Sequence, residues 1–297
     1  MNKRHFLHTA AATLLAFSLA GAGTASAAPH DALTLEVYNP GHDAIFPVSS
    51  VLVLGRKQAI LVDAQFGRAQ AQQLVARLQA SGRTLSAIYI SHGDPDFYFG
   101  LETLLAAFPG VQVLASSHTV AHIEATRAAK LAFWGPKLGA DAPSTTVVPQ
   151  LLSGDRLMLE GQAIEVRGLK GPQPERSYLW IPSLKAVLGG VVLSNNQHLW
   201  MADTQSPQSH ADWLVTLQDI AALKPRTIVP GHMLPGASGP LQAVAFTAGH
   251  IQAFDQEAAR AADSTALIAA MKQRYPQAGE PSSLELSAKV AKGEMRW

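Results

Sequence analysis

An apolar run, Ala87-Ile88-Tyr89-Ile90, passes directly into Ser91-His92-Gly93-Asp94-Pro95-Asp96-Phe97-Tyr98-Phe99-Gly100, and this junction constrains the chain more than any other stretch. A continuously apolar run of that length predicts a strand covered on both faces. One imidazole and two carboxylates then follow at alternate positions, and alternate side chains of an extended segment point the same way. The expectation is a metal-binding cluster of His92, Asp94 and Asp96 at the carboxyl edge of a buried sheet, the usual crevice for chemistry in α/β folds. Each residue also has a purely structural reading: His92 caps a loop, Asp94-Pro95 forms a turn, and Asp96 caps the following helix.

Around this junction the apolar pattern alternates between strand and helix. Val51–Leu54 and Ala59–Val62 read as strands parted by Gly55-Arg56-Lys57, and Asp63 ends the second. Helices are expected over 69–80, with Gly82 as the stop, over 101–108 and over 118–133, with a strand at 111–115. The middle turns to β structure at 156–159 and 163–167, and to a hairpin of 178–181 with 186–193. A helix over 209–223 and a strand at 227–229 lead into Pro230-Gly231-His232, and helices over 241–262 and 265–274 follow. Two β–α halves with outer helices predict an α/β sandwich of two sheets coated by helices.

The first residues read as an export signal. Lys3 and Arg4 precede an apolar run from about Ala10 to Ala20 and a small-x-small site, Ala25-Ser26-Ala27. The expectation is a signal peptide over 1–27 and a single mature domain over 28–297, periplasmic or secreted and free of the membrane after cleavage. The chain has no cysteine, which excludes disulfides, lipid-bearing cysteines and thiolate ligands, so any metal must be held by nitrogen and oxygen. With 23 basic against 22 acidic residues, it carries no electrostatic footprint for nucleic acid.

The order of these elements, with His92-Gly93-Asp94-Pro95-Asp96 after a strand and Pro230-Gly231-His232 near the end, resembles the metallo-β-lactamase superfamily over nearly the whole mature chain. That resemblance implies a four-layer αββα sandwich. The family's signature is His-x-His-x-Asp-His followed by Gly-Gly, with later histidines in Gly-His segments and an aspartate in a Gly-Asp pair. His92, Asp96, Gly100 and His232 match it. Asp94 replaces the second histidine and Phe97 the third, while Gly171-Pro172 and Gly190-Val191 stand where the Gly-His and Gly-Asp pairs belong.

The resemblance therefore implies one divalent ion and not two, with zinc, manganese or iron suited to the mixed nitrogen and oxygen donors. Two arrangements are open. His92, Asp94, Asp96 and His232 close around one ion, or His92, Asp94 and His232 hold it while Asp96 orients the bound water, as its family position implies. Asp63 is a candidate support behind the ligands. His198 and Asp203, in a loop that borders the family's active-site mouth, are candidate further ligands or proton carriers, and Arg176 is a candidate contact for an anionic substrate group. His118 and His122, four apart on a helix, lack a third ligand nearby, and His210 and His250 read as surface helix residues. The implied function is an exported metal-dependent hydrolase acting on a small-molecule ester, lactone or amide. The rival is a ligand-binding protein or pseudoenzyme that keeps the fold and has lost the centre.

Overall fold

The computed structural model describes residues 32–234 and 240–297, and Asp31–Trp297 form one compact unit. The expected signal peptide lies outside the described residues. In chain order the first half comprises β1 (Thr34–Tyr38), β2 (Ser50–Leu54), β3 (Gln58–Val62), α1 (Arg68–Ser81), β4 (Thr84–Ile90), α2 (Pro95–Tyr98), α3 (Leu101–Ala107), β5 (Gln112–Ala115), α4 (Ser117–Leu138) and β6 (Gln150–Leu151). The second half comprises β7 (Arg156–Leu159), β8 (Gln162–Arg167), β9 (Tyr178–Ile181), β10 (Ala186–Leu188), β11 (Ser194–Asn195), α5 (Pro207–Ala222), β12 (Thr227–Val229), β13 (His232–Met233), α6 (Pro240–Arg260), α7 (Ser264–Arg274) and α8 (Pro281–Ala291).

One sheet runs β1-β2-β3-β4-β5-β6 and the other β12-β10-β9-β8-β7, with β11 and β13 as a separate short pair. In the first sheet β1, β2 and β3 pair antiparallel, whereas β3, β4, β5 and β6 are parallel and joined through helices. Parallel neighbours need such crossovers, which place helices against the sheet face.

The two-residue period of a strand divides the apolar residues into layers. Val51, Val53, Ile60, Val62, Ala87 and Tyr89 face Leu157, Leu159, Ile164, Val166, Leu179, Ile181 and Leu188 in the core between the sheets. Their neighbours Leu52, Leu61, Ile88 and Ile90 face outward onto Leu74 and Leu78 of α1, Leu101 and Leu104 of α3, and Val120 and Ile123 of α4. On the far side Tyr178, Trp180 and Val187 meet Trp213 and Leu217 of α5, Ile251 and Phe254 of α6, Leu267 of α7 and Leu284 of α8. Each fully buried Leu or Ile contributes about 1.5–3 kcal/mol, so this double-sided patterning is what holds the αββα sandwich together. Among the described residues no helix is long and apolar enough to cross a membrane.

Three expectations change. The hairpin strand ends at Leu188 and not near 193, because Gly189 and Gly190 turn the chain with φ of 77° and 70°. β1 and α8 were not expected. Asp96 is not in an extended segment: Asp94 stands at the N-cap position of α2 with Pro95 first in the helix, so the alternation argument stops at residue 94.

Candidate active site

The ends of β3, β4 and β10 are tied together before the site begins. Asp63, with φ of 65°, accepts from the Ser91 backbone N–H at 2.8 Å and from Ser91 Oγ at 2.6 Å, and the same Oγ accepts from the Gly190 N–H at 2.7 Å. This chain of bonds fixes the backbone one residue before His92. Burial drives the Asp63 carboxyl up to about 7, against the bonds from Ser91. Asp63 thus holds the residue that precedes His92.

His232 is delivered from the other half. β13 lies parallel to β11 with His232 opposite Ser194, and Val48 bridges to His232 from the other side. Gly231 is required there, because a side chain at that position would meet the Gly190 carbonyl oxygen at 1.9 Å. The close crossing brings His232 Nε2 to 3.3 Å from Asp96 Oδ2. His232 Nδ1 is buried without a partner.

Phe97 separates the two matched histidines. Its fully buried ring meets His92 at 5.4 Å between centroids and His232 at 5.3 Å, edge-on to each. Its backbone carbonyl accepts from the Ala64 N–H at 2.7 Å, which ties α2 to the end of β3. The ring therefore occupies the space in which the family's third histidine would be expected to act.

Asp94 turns away from Asp96 and His232 toward α4. Its carboxylate makes no helix-capping bond and is in direct contact with Lys130 Nζ. His122 Nε2 lies 3.1 Å from Lys130 Nζ and 3.7 Å from Asp94 Oδ1, and His92 Nδ1 lies 3.5 Å from Asp94 Oδ2. The Asp94 backbone N–H donates to His92 Nδ1 at 3.2 Å, so that nitrogen carries no proton and the other ring nitrogen carries it. α4 can lie this close because residue 93 is glycine, where a side chain would meet the His122 ring at 2.6 Å.

Electrostatics divides the cluster into one ion pair and several neutral groups. Burial pulls His92 down to about 3 against the opposing charge of Asp94, with Arg176, Lys130 and His122 adding to the fall. Burial likewise takes His232 to about 4. Burial pushes the Asp94 carboxyl up, yet His92, His122 and Lys130 outweigh it and hold that carboxyl well below the usual range. Asp96 moves the other way, raised well above the ordinary value by burial and then by the charge of Asp94. The Tyr98 hydroxyl, buried without a partner, is raised by burial and by the nearby carboxylates.

The remaining candidates take different places. Arg176 is almost wholly buried, paired to Asp203 at 3.1 Å and stacked 3.8 Å over the Trp213 ring, so it supports the wall and does not meet an anion in solvent. Asp203 is raised by burial despite Arg176, and Asp94 contributes to that rise, which puts the Arg176–Asp203 pair within electrostatic reach of the cluster. His198 bonds to His250 at 3.1 Å, and no contact joins it to the cluster among the described residues. His250 is fully buried and His210 nearly so, bonded to Asp255 and to the Thr204 carbonyl at 2.6 Å each, which corrects their reading as surface residues. Lys130 and His122 were missed as a pair. Their four-residue steps through Thr126 place them on one helix face, and Gly93 leaves the room beside them, but neither signal points to Asp94.

Among the described residues, no group of three or more histidine, aspartate or glutamate side chains is arranged to hold a metal ion. The donor chemistry agrees: Asp94 already faces an ammonium, and an apolar ring divides His92 from His232. The residues present do not fit the two-ion centre of the family, nor either single-ion arrangement of His92, Asp94, Asp96 and His232 as they stand.

No curated protein matches the chain. It is similar in structure to a metallo-beta-lactamase from Pontibacter korlensis, at 19% identity over 74% of this chain and 93% of that one, with a TM-score of 0.51. It is also similar to VMB-1, at 16% identity over 76% of this chain and 95% of that one, with a TM-score of 0.54. DIM-1 metallo-beta-lactamase gives 15% identity over 75% and 98%, with a TM-score of 0.51. At these identities the likeness shows the fold. The family model of the metallo-beta-lactamase superfamily matches residues 44–232, ending on His232 itself. The superfamily is largely hydrolytic and binds divalent metals, usually zinc, and by this match over most of its length the chain belongs to the metallo-beta-lactamase superfamily, with an altered metal motif.

Proposed function

We propose that the chain is a member of this superfamily that has given up its hydrolytic metal centre and binds a small molecule outside the cytoplasm. One observation carries the reading. The carboxylate that takes the place of a family ligand, Asp94, is spent on Lys130 of α4, while Phe97 fills the space between His92 and His232. The pair is partly buried, so removing either partner leaves the other charge incompletely solvated.

The polar groups around Phe97 carry little charge. Asp96 keeps its proton to higher pH than an ordinary carboxyl, and His92 and His232 are neutral. Such a site suits a neutral, hydrogen-bonding molecule better than a strongly charged one.

A second reading retains the hydrolase. Its support is the 3.3 Å approach of His232 Nε2 to Asp96 Oδ2, two matched family positions that the fold still brings together, with His232 Nδ1 buried without a partner. On that reading an ester, lactone or amide is cleaved.

Elemental analysis of mature protein dialysed against metal-depleted buffer separates the two. The proposal expects well under one equivalent of zinc, manganese or iron and no turnover of ester, lactone or β-lactam substrates. A stoichiometric ion together with metal-dependent turnover overturns it. Export is part of the proposal and rests on the basic start, the apolar run and Ala25-Ser26-Ala27. N-terminal sequencing of protein from an exporting host should begin near Ala28, and an intact leader on most of the soluble protein would contradict this.

A further inference from the structure

A cavity of about 310 Å³ opens between the loop that leads into α5, the second half of α6 and the end of α8. Its walls are mostly apolar: Met201, Phe254 and Val290 line it as buried residues, and Ala258 and Ala291 leave space that larger side chains would fill. The walls are tied to one another, since the Met201 N–H donates to Ser287 Oγ of α8 at 2.9 Å and His210 of α5 meets Asp255 of α6 at 2.6 Å. An interior space of roughly 150 Å³ already admits benzene, so this cavity has room for two fused rings. It shares no lining residue with the cluster around Phe97.

His210 and Asp255 also line the cavity, and their bonding fixes what they present to it. The Thr204 carbonyl oxygen, 2.6 Å from His210 Nε2, only accepts, so that nitrogen carries a proton. His210 Nδ1 stands 2.6 Å from Asp255 Oδ1, a separation that two acceptors with no proton between them would not hold. The pair therefore holds a second proton and is neutral overall, whichever of the two atoms carries it. The Asp255 side chain is 45% exposed and keeps lone pairs for a further donor. A cation or an anion would unbalance a neutral pair, whereas a neutral hydroxyl or N–H group gains a bond at no such cost. Mostly apolar walls with a few polar groups that fix orientation are the usual make-up of a small-molecule site. We propose that this cavity binds a neutral, mostly apolar ring compound through one hydroxyl or N–H group donated to Asp255. Binding here stands whether or not the cluster around Phe97 carries an ion.

The test titrates the mature wild type by calorimetry with 2-naphthol, with 2-methoxynaphthalene, which has the same rings without the donor, and with the anion 2-naphthoate. 2-Naphthol should bind at one equivalent and at least about 10-fold tighter than either of the others, the scale of one charge-assisted hydrogen bond. Ala258→Phe fills the cavity and should weaken 2-naphthol by at least about 10-fold while circular dichroism shows the fold intact. Should that variant not fold, Ala291→Phe closes the same space from an exposed position, and the same loss is expected. Asp255→Leu, near in shape and without an acceptor, should reduce the preference for 2-naphthol over 2-methoxynaphthalene to less than about 3-fold. Absence of saturable 2-naphthol binding, equal affinity for the three compounds in wild type, undiminished affinity in the cavity-filling variants, or a preference that survives Asp255→Leu overturns the inference.

Discussion

Asp63 takes both of its hydrogen bonds from one residue, Ser91, and so clamps the end of β3 to the end of β4 immediately before His92. The clamp is made by a carboxyl that burial has raised to about 7 from an ordinary value of 3.8. The folded state therefore binds this proton more tightly than the unfolded state. The contribution is fully present below about pH 4 and is lost as pH rises through about 7. Asp63→Asn keeps an acceptor for the Ser91 N–H and never ionises, so the variant should gain stability relative to wild type as pH rises from 5 to 8. Denaturant unfolding of both proteins across that range checks the difference. A difference that does not change with pH would show that Asp63 is not raised.

The His198–His250 pair behaves in the opposite sense. Burial lowers His198 to about 4 and His250 to about 3, so both are neutral in the fold and protonate only after unfolding has become favourable. Their contribution is present above the ordinary histidine value near 6.5 and is lost as pH falls toward 4. Imidazole proton resonances of these two residues should not titrate between pH 5 and 7.5. His250→Ala should cost about 2–4 kcal/mol, because it removes a fully buried ring and strands His198 Nδ1. A loss below about 0.5 kcal/mol, the scale of ordinary surface changes, would restore the surface reading of His250.

Phe97→His places an imidazole between His92 and His232. Without metal the buried polar ring should destabilise the protein by about 1–3 kcal/mol. With Zn²⁺ the variant should regain stability, since His92, His232 and the new ring would flank one point with Asp96 beside it. Melting curves with and without Zn²⁺ decide the matter. An unchanged melting temperature on adding Zn²⁺ would mean that Phe97 is not what keeps these histidines from sharing an ion.

Gly231→Ala tests the crossing that delivers His232. The added carbon would stand 1.9 Å from the Gly190 carbonyl oxygen, and no flexible side chain is available to yield. A loss of about 3 kcal/mol is expected, with the His232–Asp96 contact disturbed. A variant as stable as wild type would show that the two backbones do not approach so closely.

The layered fold was largely legible in the sequence because it depends on local periodicity. Residues 51 and 53, 60 and 62, and 87 and 89 point one way and their neighbours the other, so each strand carries its own record of two buried faces. The positions of His92, Asp96 and His232 were also legible, from their place after a strand or a glycine and from the family resemblance. That Asp63 closes a strand was legible too, whereas its bonds to Ser91 were not.

Only the tertiary structure decided what these residues do to one another. Asp94 and Asp96 are two apart in sequence, yet the turn into α2 sends one to Lys130 and the other to His232. Lys130 and His122 belong to a long helix whose pattern fits an ordinary outer layer, and nothing local distinguishes them from solvated polar residues. The burial of His250 and Arg176 depends on which elements later cover them, on Tyr275 and Trp213 respectively. Periodicity along the chain sets which face of an element is buried. The partner of a charge is set by elements far apart in sequence, and an ion pair leaves no periodic trace in either of them.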